Sequence, residues 1–251
     1  NRFITAGGIE GLRNGGTINI LTNTGTISAV GNRGIINRGG NRGTIGTIIN
    51  SGTISSGNNN GIITAGIIGT ITNSGTISAG NDFGISNTGT ITTLTNRGSS
   101  PLTGLIFASG NNIGIFNSGT ITTLNNLQGA SSSALTYDGT LPTNYNIIVN
   151  SISDFGKIVF SNVSGAINFE IDSSSTLADV DTTYSTVLSG LSSSDIASGF
   201  SGIFVSGVIT KTWTLDNSSG SLWDLNVTVI DLTNNTNTSV ITFTNYTNTS
   251  V

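Results

Sequence analysis

The sequence predicts an all-β protein: a right-handed parallel β-helix, a solenoid with rungs of about 23 residues, followed by a β-rich C-terminal module. Three observations predict it. Glycines fall on a ruler, since Gly52, Gly61, Gly66, Gly75, Gly84, Gly89 and Gly98 are separated by 9, 5, 9, 9, 5 and 9 residues, a period of 23. Short β-branched segments lie on that ruler, as in Gly75-Thr76-Ile77-Ser78 and Gly89-Thr90-Ile91-Thr92. The composition suits stacked strands, with 8% charged residues, 35 glycines among 251 residues, and Asn, Thr and Ser as the polar remainder. A fixed period in the twenties marks a chain whose repeats bury apolar faces only by stacking on one another.

The rungs can be laid out in order. A partial rung, Gly16-Thr17-Ile18-Asn19-Ile20, precedes one that starts at Gly25 and passes through Gly34. Two more start at Gly52 and Gly75, and a fourth starts near Gly104 and closes at Gly119, for four to five rungs in all. Insertions near Gly40–Arg42 and Ser99–Leu102 interrupt the ruler at corners. In each rung the central Ile is expected to point inward and the small polar residues outward. Ile18, Ile27, Ile54, Ile77, Ile91 and Ile121 are therefore expected to form one aliphatic ladder. The glycines (Gly25, Gly34, Gly52, Gly61, Gly66, Gly75, Gly84, Gly89, Gly98, Gly119) are expected to turn corners with positive φ. Asn two residues before Gly is expected to tolerate the left-handed region and to hydrogen-bond to the Asn of the next rung.

From about Thr140 the ruler stops, and residues 1–144 and 145–251 are read as two regions. The second carries strand-like segments at Tyr145–Val149, Gly156–Phe160, Gly165–Ile171, Tyr184–Leu188, Phe200–Thr210, Lys211–Leu215 and Trp223–Val229, and larger side chains that predict a thicker core. Its last stretch, Val227–Val251, reads as a hairpin around Asn234–Asn237. Charge shifts at the same boundary. Six Arg face Glu10, Asp82 and Asp138 before it, whereas Lys157 and Lys211 face nine acids after it.

Composition also bounds the chemistry. With no Cys there are no disulfides, thiolate metal sites or Cys nucleophiles, and with no His there is no Ser-His-Asp triad, no His base and no usual zinc site. Nothing makes a nucleic-acid patch. No apolar run approaches the roughly 18 residues of a membrane-spanning helix, and the chain reads as a mature or processed fragment. Asp82 stands alone on the repeats, so a carboxylate pair for sugar cleavage is not expected there. Arg33, Arg38, Arg42 and Arg97 read as solvated corners rather than a binding row. Asp172, Asp179 and Asp181 read as a solvated loop rather than a Ca²⁺ site, lacking the spacing of known loops. Thr92-Thr93 and Thr122-Thr123 belong to Thr rows of the kind that can bind ice. Asn-x-Ser/Thr sequons at Asn162, Asn217, Asn226, Asn234, Asn237, Asn245 and Asn248 follow from composition. No catalytic, cofactor or metal residues are expected.

Rungs such as Asn73-Ser74-Gly75-Thr76-Ile77-Ser78-Ala79-Gly80 resemble the passenger domains of bacterial autotransporters (type V secretion), particularly the Gly/Asn/Thr-rich kind. Tyr145–Ser151 with Gly156-Lys157-Ile158, then Tyr184–Leu191, Trp213-Thr214-Leu215 and Ser221–Leu225, are similar to the segment between repeats and outer-membrane barrel. The resemblance spans about residues 16–230. It implies secretion, an extracellular or bacterial cell-surface location, and a structural role as adhesin or biofilm-matrix component. Implied partners are cell-surface glycans, other cells or further copies of the chain, with an outer-membrane barrel attached in the precursor. The chain carries no barrel strands, so a released passenger and a relative lacking the anchor both fit. Two alternatives stay open beside this reading: a self-assembling extracellular filament subunit joined through its C-terminal strands, and a polysaccharide-acting β-helix enzyme. Likewise the C-terminal half is read either as a cap or as the donor of Val227–Val251 to a neighbour.

Overall fold

The computed structural model describes residues 4–6, 10–38, 43–98, 104–110, 113–206 and 209–230. It is an all-β parallel solenoid of about six turns with a spacing near 24 residues. No α-helix occurs among the described residues. One turn contains three strands, as in Thr76–Ala79, Phe83–Asn87 and Thr90–Asn96. Equivalent strands of successive turns pair in parallel, which builds three faces. The first face has five strands, from Ile4–Ala6 to Leu105–Ala108. The second runs in parallel from Glu10–Asn14 to Thr182–Ser189, and the third from Thr17–Asn23 to Ile196–Ser198. The expected insertions, Gly40–Arg42 and Ser99–Leu102, lie outside the described residues. Pairing stays in register across both, with Asn23 opposite Asn50 and Asn96 opposite Asn126.

The inward Ile residues form separate columns rather than one ladder. Ile27, Ile54 and Ile77 stack with Ile106 on the first face. Ile18, Ile91 and Ile121 belong to the third face, joined through Ile45 and Ile68. A further column, Ile35, Ile62, Ile85 and Ile115, lines the second face. The split follows from three strands per turn, each contributing its own inward position. All of these are buried except Ile18, which is partly covered in the first complete turn. Each buried Ile contributes about 2 kcal/mol of transfer free energy.

The glycines do a different job from the one expected. None of Gly34, Gly52, Gly61, Gly66, Gly75, Gly84, Gly89 and Gly119 has positive φ. Gly34 and Gly84 are not corners at all but lie inside strands Arg33–Asn37 and Phe83–Asn87. What these positions require is the absence of Cβ. A Cβ on Gly75 would sit 2.0 Å from the carbonyl oxygen of Gly52, and one on Gly52 would sit 2.0 Å from that of Gly25. The glycine ruler therefore records close approach between turns. Left-handed glycines occur at Gly104, which starts the fourth rung in the column of Gly75, and beyond the glycine ruler at Gly139, Gly165, Gly190, Gly199 and Gly220.

Asparagine ladders run along the stack, as expected, although these Asn residues do not occupy the left-handed region. Asn23 Nδ2 donates to Asn50 Oδ1 (2.7 Å), Asn50 to Asn73 (2.8 Å) and Asn73 to Asn96 (2.8 Å). Each Nδ2 also donates to a backbone carbonyl of the next turn, that of Thr53, Thr76 or Leu105. A second ladder joins Asn14 to Asn37 and Asn87 to Asn117, with Thr64 taking the intervening place. These amides are buried, so each bond satisfies a group that water cannot reach.

The parallel sheets continue past the end of the glycine ruler. Tyr145 stacks on Leu124 and Phe169 on Tyr145, while Tyr137 stacks on Ile115 and Phe160 on Tyr137. The turns after residue 126 exchange Ile and Leu for aromatic rings and widen the core, which is why six turns exist where the ruler shows four to five. The second face then changes direction. Leu222–Ile230 pairs antiparallel with Thr182–Ser189, followed outward by Ile209–Ser219 and Ser201–Ser206. This antiparallel extension reaches the end of the core: the Trp213 ring meets Phe169 edge-on at 5.7 Å, and Trp223 Nε1 donates to Leu191 O. Lys211, only 1% exposed, donates to Leu177 O (2.6 Å) and Asp179 Oδ1 (2.7 Å), which satisfies its buried charge. The hairpin expected around Asn234–Asn237 lies outside the described residues. Of the stretch Val227–Val251, Val227 already has partners on both edges, Thr182 and Trp213.

Two predictions follow from this architecture. Asn73→Ala strands the bonding groups of Asn50, Asn96 and Leu105, and is expected to lower stability by about 2–4 kcal/mol in urea titrations; a loss below about 0.5 kcal/mol would mean the ladder is decoration. Burial raises the phenol pKa of Tyr137, Tyr145 and Tyr184 above the ordinary 10.0. The folded state therefore holds these protons more tightly than the unfolded state. Their contribution is present below pH 10 and lost as pH rises beyond it. In a Tyr246→Phe background, phenolate absorbance should appear together with loss of β-sheet circular dichroism. Ionisation of all three while the sheets persist would contradict this.

Candidate functional site

The first face ends while the other two continue, and that mismatch creates a recess on the side of the solenoid. Among the described residues, strand Leu105–Ala108 has a neighbour on one edge only. Leu105 N donates to Gly75 O and Ser109 N to Ala79 O. Parallel pairing alternates, so the peptide groups of Ile106 and Ala108 point the other way, toward the recess. A cavity of about 610 Å³ lies there, lined by Leu105, Phe107, Ala108, Gln128, Ala134 and Thr136 among others. Phe107 is 39% exposed at its rim.

Gln128 occupies the place of the missing strand. Ile106 N donates to Gln128 Oε1 (2.8 Å), and Gln128 Nε2 donates to Ile106 O (3.4 Å). The side-chain amide thus imitates the peptide of a pairing strand. The same Oε1 accepts from Asn96 Nδ2 (2.9 Å), so Gln128 also terminates the long Asn ladder. Sequence reasoning passed over Gln128. The available signal is that it follows the ladder residue Asn126 by two, where earlier rungs carry Gly.

Among the described residues, none that lines the recess is titratable. Its walls are apolar, with hydroxyls from Ser131, Ser132 and Ser133. Such a surface can hold an apolar or uncharged ligand by contact and hydrogen bonding.

The sequence-derived candidates sit elsewhere and do not converge. Asp172 accepts from Ser174 N (2.9 Å), Asp179 pairs with Lys211, and Asp181 accepts from Val229 N (2.9 Å). Each acid therefore serves a separate structural purpose. Arg97 donates to Ser174 Oγ, and Arg38 is an exposed corner; Arg42 lies outside the described residues. Arg13 pairs with Glu10, and the hydrogen bond from Arg13 holds the Glu10 carboxyl below its ordinary value. On the third face, Thr93 and Thr123 are in register with Thr47 and Thr70, whereas Thr92 and Thr122 fall at the position held by Gly46 and Gly69 in earlier turns. Beside them, Asn146 donates to Asn125 and Asn125 to Thr95, which ties the exterior polar groups to one another. Of the sequons, Asn162 donates to Asp138, Asn217 to Gly220 O and Asn226 to Asp216, while Asn234, Asn237, Asn245 and Asn248 lie outside the described residues.

Comparison with protein families, with characterised proteins and with solved structures gave no match.

Gln128→Ala should open the edge. The expected loss is about 2 kcal/mol, from unpaired groups on Ile106 and Asn96, with a large rise in hydrogen exchange at the Ile106 amide. Unchanged exchange at that amide would show that another group protects the strand.

Proposed function

We propose that this chain is a non-enzymatic structural protein of a bacterial cell surface, secreted and acting as an adhesin or extracellular-matrix component of the autotransporter-passenger type. The observation that carries the reading is the uncharged apolar recess beside Leu105–Ala108, with Phe107 exposed at its rim. It lies on a solenoid whose exterior is largely Thr, Ser and Asn. Such a surface favours contact with uncharged partners, and sugars fit it well: their C–H faces stack on aromatic rings and their hydroxyls bond Ser and Gln side chains. The expected partners are cell-surface glycans on other cells.

The second reading is a subunit of an extracellular filament, favoured by Ile20. It is 65% exposed on Thr17–Asn23, the terminal strand of the third face, where the equivalent Thr47 and Thr70 are polar. A polysaccharide-acting enzyme would need a carboxylate pair in a sugar-binding recess, and the described residues lining the recess beside Phe107 include none.

Binding of the purified full chain to a glycan panel and to bacterial cells tests the proposal. Saturable binding is expected, weakened about tenfold or more by Phe107→Asp, with no release of sugar fragments. Absence of binding to every glycan and cell type, or binding indifferent to Phe107→Asp, would overturn it. Cleavage of any glycan would restore the enzyme reading.

A further inference from the structure

The exterior of the third face carries a pattern that the proposed adhesin role does not use. Its outward residues stack in register over five turns. One row holds Thr47, Thr70, Thr93 and Thr123, with Ile20 at its start. The row two residues further along holds Thr22, Thr72 and Thr95, with Ile49 and Asn125 in the remaining places. The middle turns therefore present Thr70-Ile71-Thr72 and Thr93-Leu94-Thr95, with both Thr side chains outside and Ile71 or Leu94 in the core.

Two properties set these rows apart from other hydroxyls of the solenoid. At the corners, hydroxyls bond the neighbouring turn, as Ser74 Oγ does to Asn50 O (3.3 Å) and Thr88 Oγ1 to Thr64 O (3.3 Å). In the two rows, among the described residues, only the hydroxyl of Thr95 has a protein partner, accepting from Asn125 Nδ2 (3.0 Å). The other Thr hydroxyls are left to water, on side chains that are exposed (Thr22) or half-buried. The rows are also free of charge. Past Thr123 and Asn125 the first charged residue is Glu170, two turns on.

Spacing then selects the form of water. Paired strands lie about 4.8 Å apart, and residues two apart on a parallel strand lie about 6.6 Å apart. Water oxygens joined tetrahedrally by bonds of about 2.75 Å lie about 4.5 Å from their second neighbours, and the hexagonal lattice so built repeats every 7.3 Å or so along its axis. Along a row the mismatch is about 0.3 Å per turn, which accumulates to about 1.2 Å over five turns, less than half of one hydrogen bond. A Thr hydroxyl donates once and accepts twice, so it can take the place of one lattice water. β-Branching restricts χ1, so little side-chain freedom is lost on binding. The methyl groups gain by leaving liquid water, and no charge holds a competing hydration shell.

We infer that this Thr face binds ice. Its ligand is the ordered water of a crystal surface, and adsorption there stops growth at the covered sites. The recess beside Phe107 belongs to the first face and takes no part.

The test uses the purified full chain, with the β-sheet circular dichroism and melting temperature of every variant recorded. A single ice crystal cooled in its solution should become faceted and stop growing over a measurable interval below the melting point. The chain, followed by its Trp fluorescence, should enter a growing ice hemisphere rather than be expelled. Thr93→Tyr, at the centre of the face, should shrink the growth-free interval about tenfold, because the ring holds the rows off the lattice. Thr123→Tyr, one turn along the same row, serves if Thr93→Tyr disturbs the melting temperature. Ser55→Tyr, on the first face, and Phe107→Asp, in the recess, should leave the interval unchanged. A chain that stops ice growth but binds no glycan would support this inference while removing the adhesin role. Expulsion from ice with rounded, freely growing crystals would overturn it, and so would an interval no more sensitive to Thr93→Tyr and Thr123→Tyr than to Ser55→Tyr.

Discussion

Successive turns lie so close at their corners that a methyl group does not fit between them, and the rest of the molecule depends on that spacing. Gly25, Gly52 and Gly75 sit one above another, and Gly52 and Gly75 are each too near the carbonyl of the preceding turn to carry a Cβ. The contact holds the turns at sheet distance, about 4.8 Å apart. At that distance an Asn amide reaches the Asn of the next turn, and each inward Ile covers the one before it. The glycine, Asn and Ile columns are three results of one spacing. This also explains why glycines here have ordinary φ: they are selected for what they lack, not for the conformations they allow.

The regular stack must stop, and the chain stops it in stages. Gln128 ends both the long Asn ladder and the first face, one amide replacing a whole strand. The following turns fill the widening interior with Tyr137, Tyr145, Phe160 and Phe169 in place of Ile and Leu. Trp213 and Lys211 then belong to antiparallel strands, whose change of direction stops the growth of the second face. An open parallel sheet invites further strands, and a change of pairing direction with a covering aromatic ring is a physical barrier to that growth. The side recess is a by-product of the staging, because the first face ends before its two companions.

Binding character follows from the same economy of charge. A solenoid stacks equivalent positions directly over one another, so a charge placed in a repeat would face its own copy one turn away at short range. Thr, Ser and Asn avoid that repulsion and bond along the stack, as Asn146, Asn125 and Thr95 do. The exterior that results is polar and largely uncharged, suited to contact through hydroxyls, amides and the occasional aromatic ring. The acids gathered in the second half act within the fold: Asp179 neutralises Lys211 and Asp181 anchors Val229.

The sequence by itself determined the solenoid, the inward Ile positions and the Asn–Asn bonds. These are properties of one repeat and its nearest neighbour, and they recur with the 23-residue period. Tertiary structure decided what spans several turns. It separated Ile27, Ile54 and Ile77 from Ile18, Ile91 and Ile121, because which strand a residue occupies depends on where the chain bends. It carried the parallel stack beyond the glycine ruler, because aromatic columns fill a wider interior without a corner glycine in every turn. It also made the recess at Leu105–Ala108, which arises from the unequal lengths of three faces and from Gln128 reaching a strand 22 residues earlier. No local pattern encodes that meeting, since it depends on how the intervening turn is threaded.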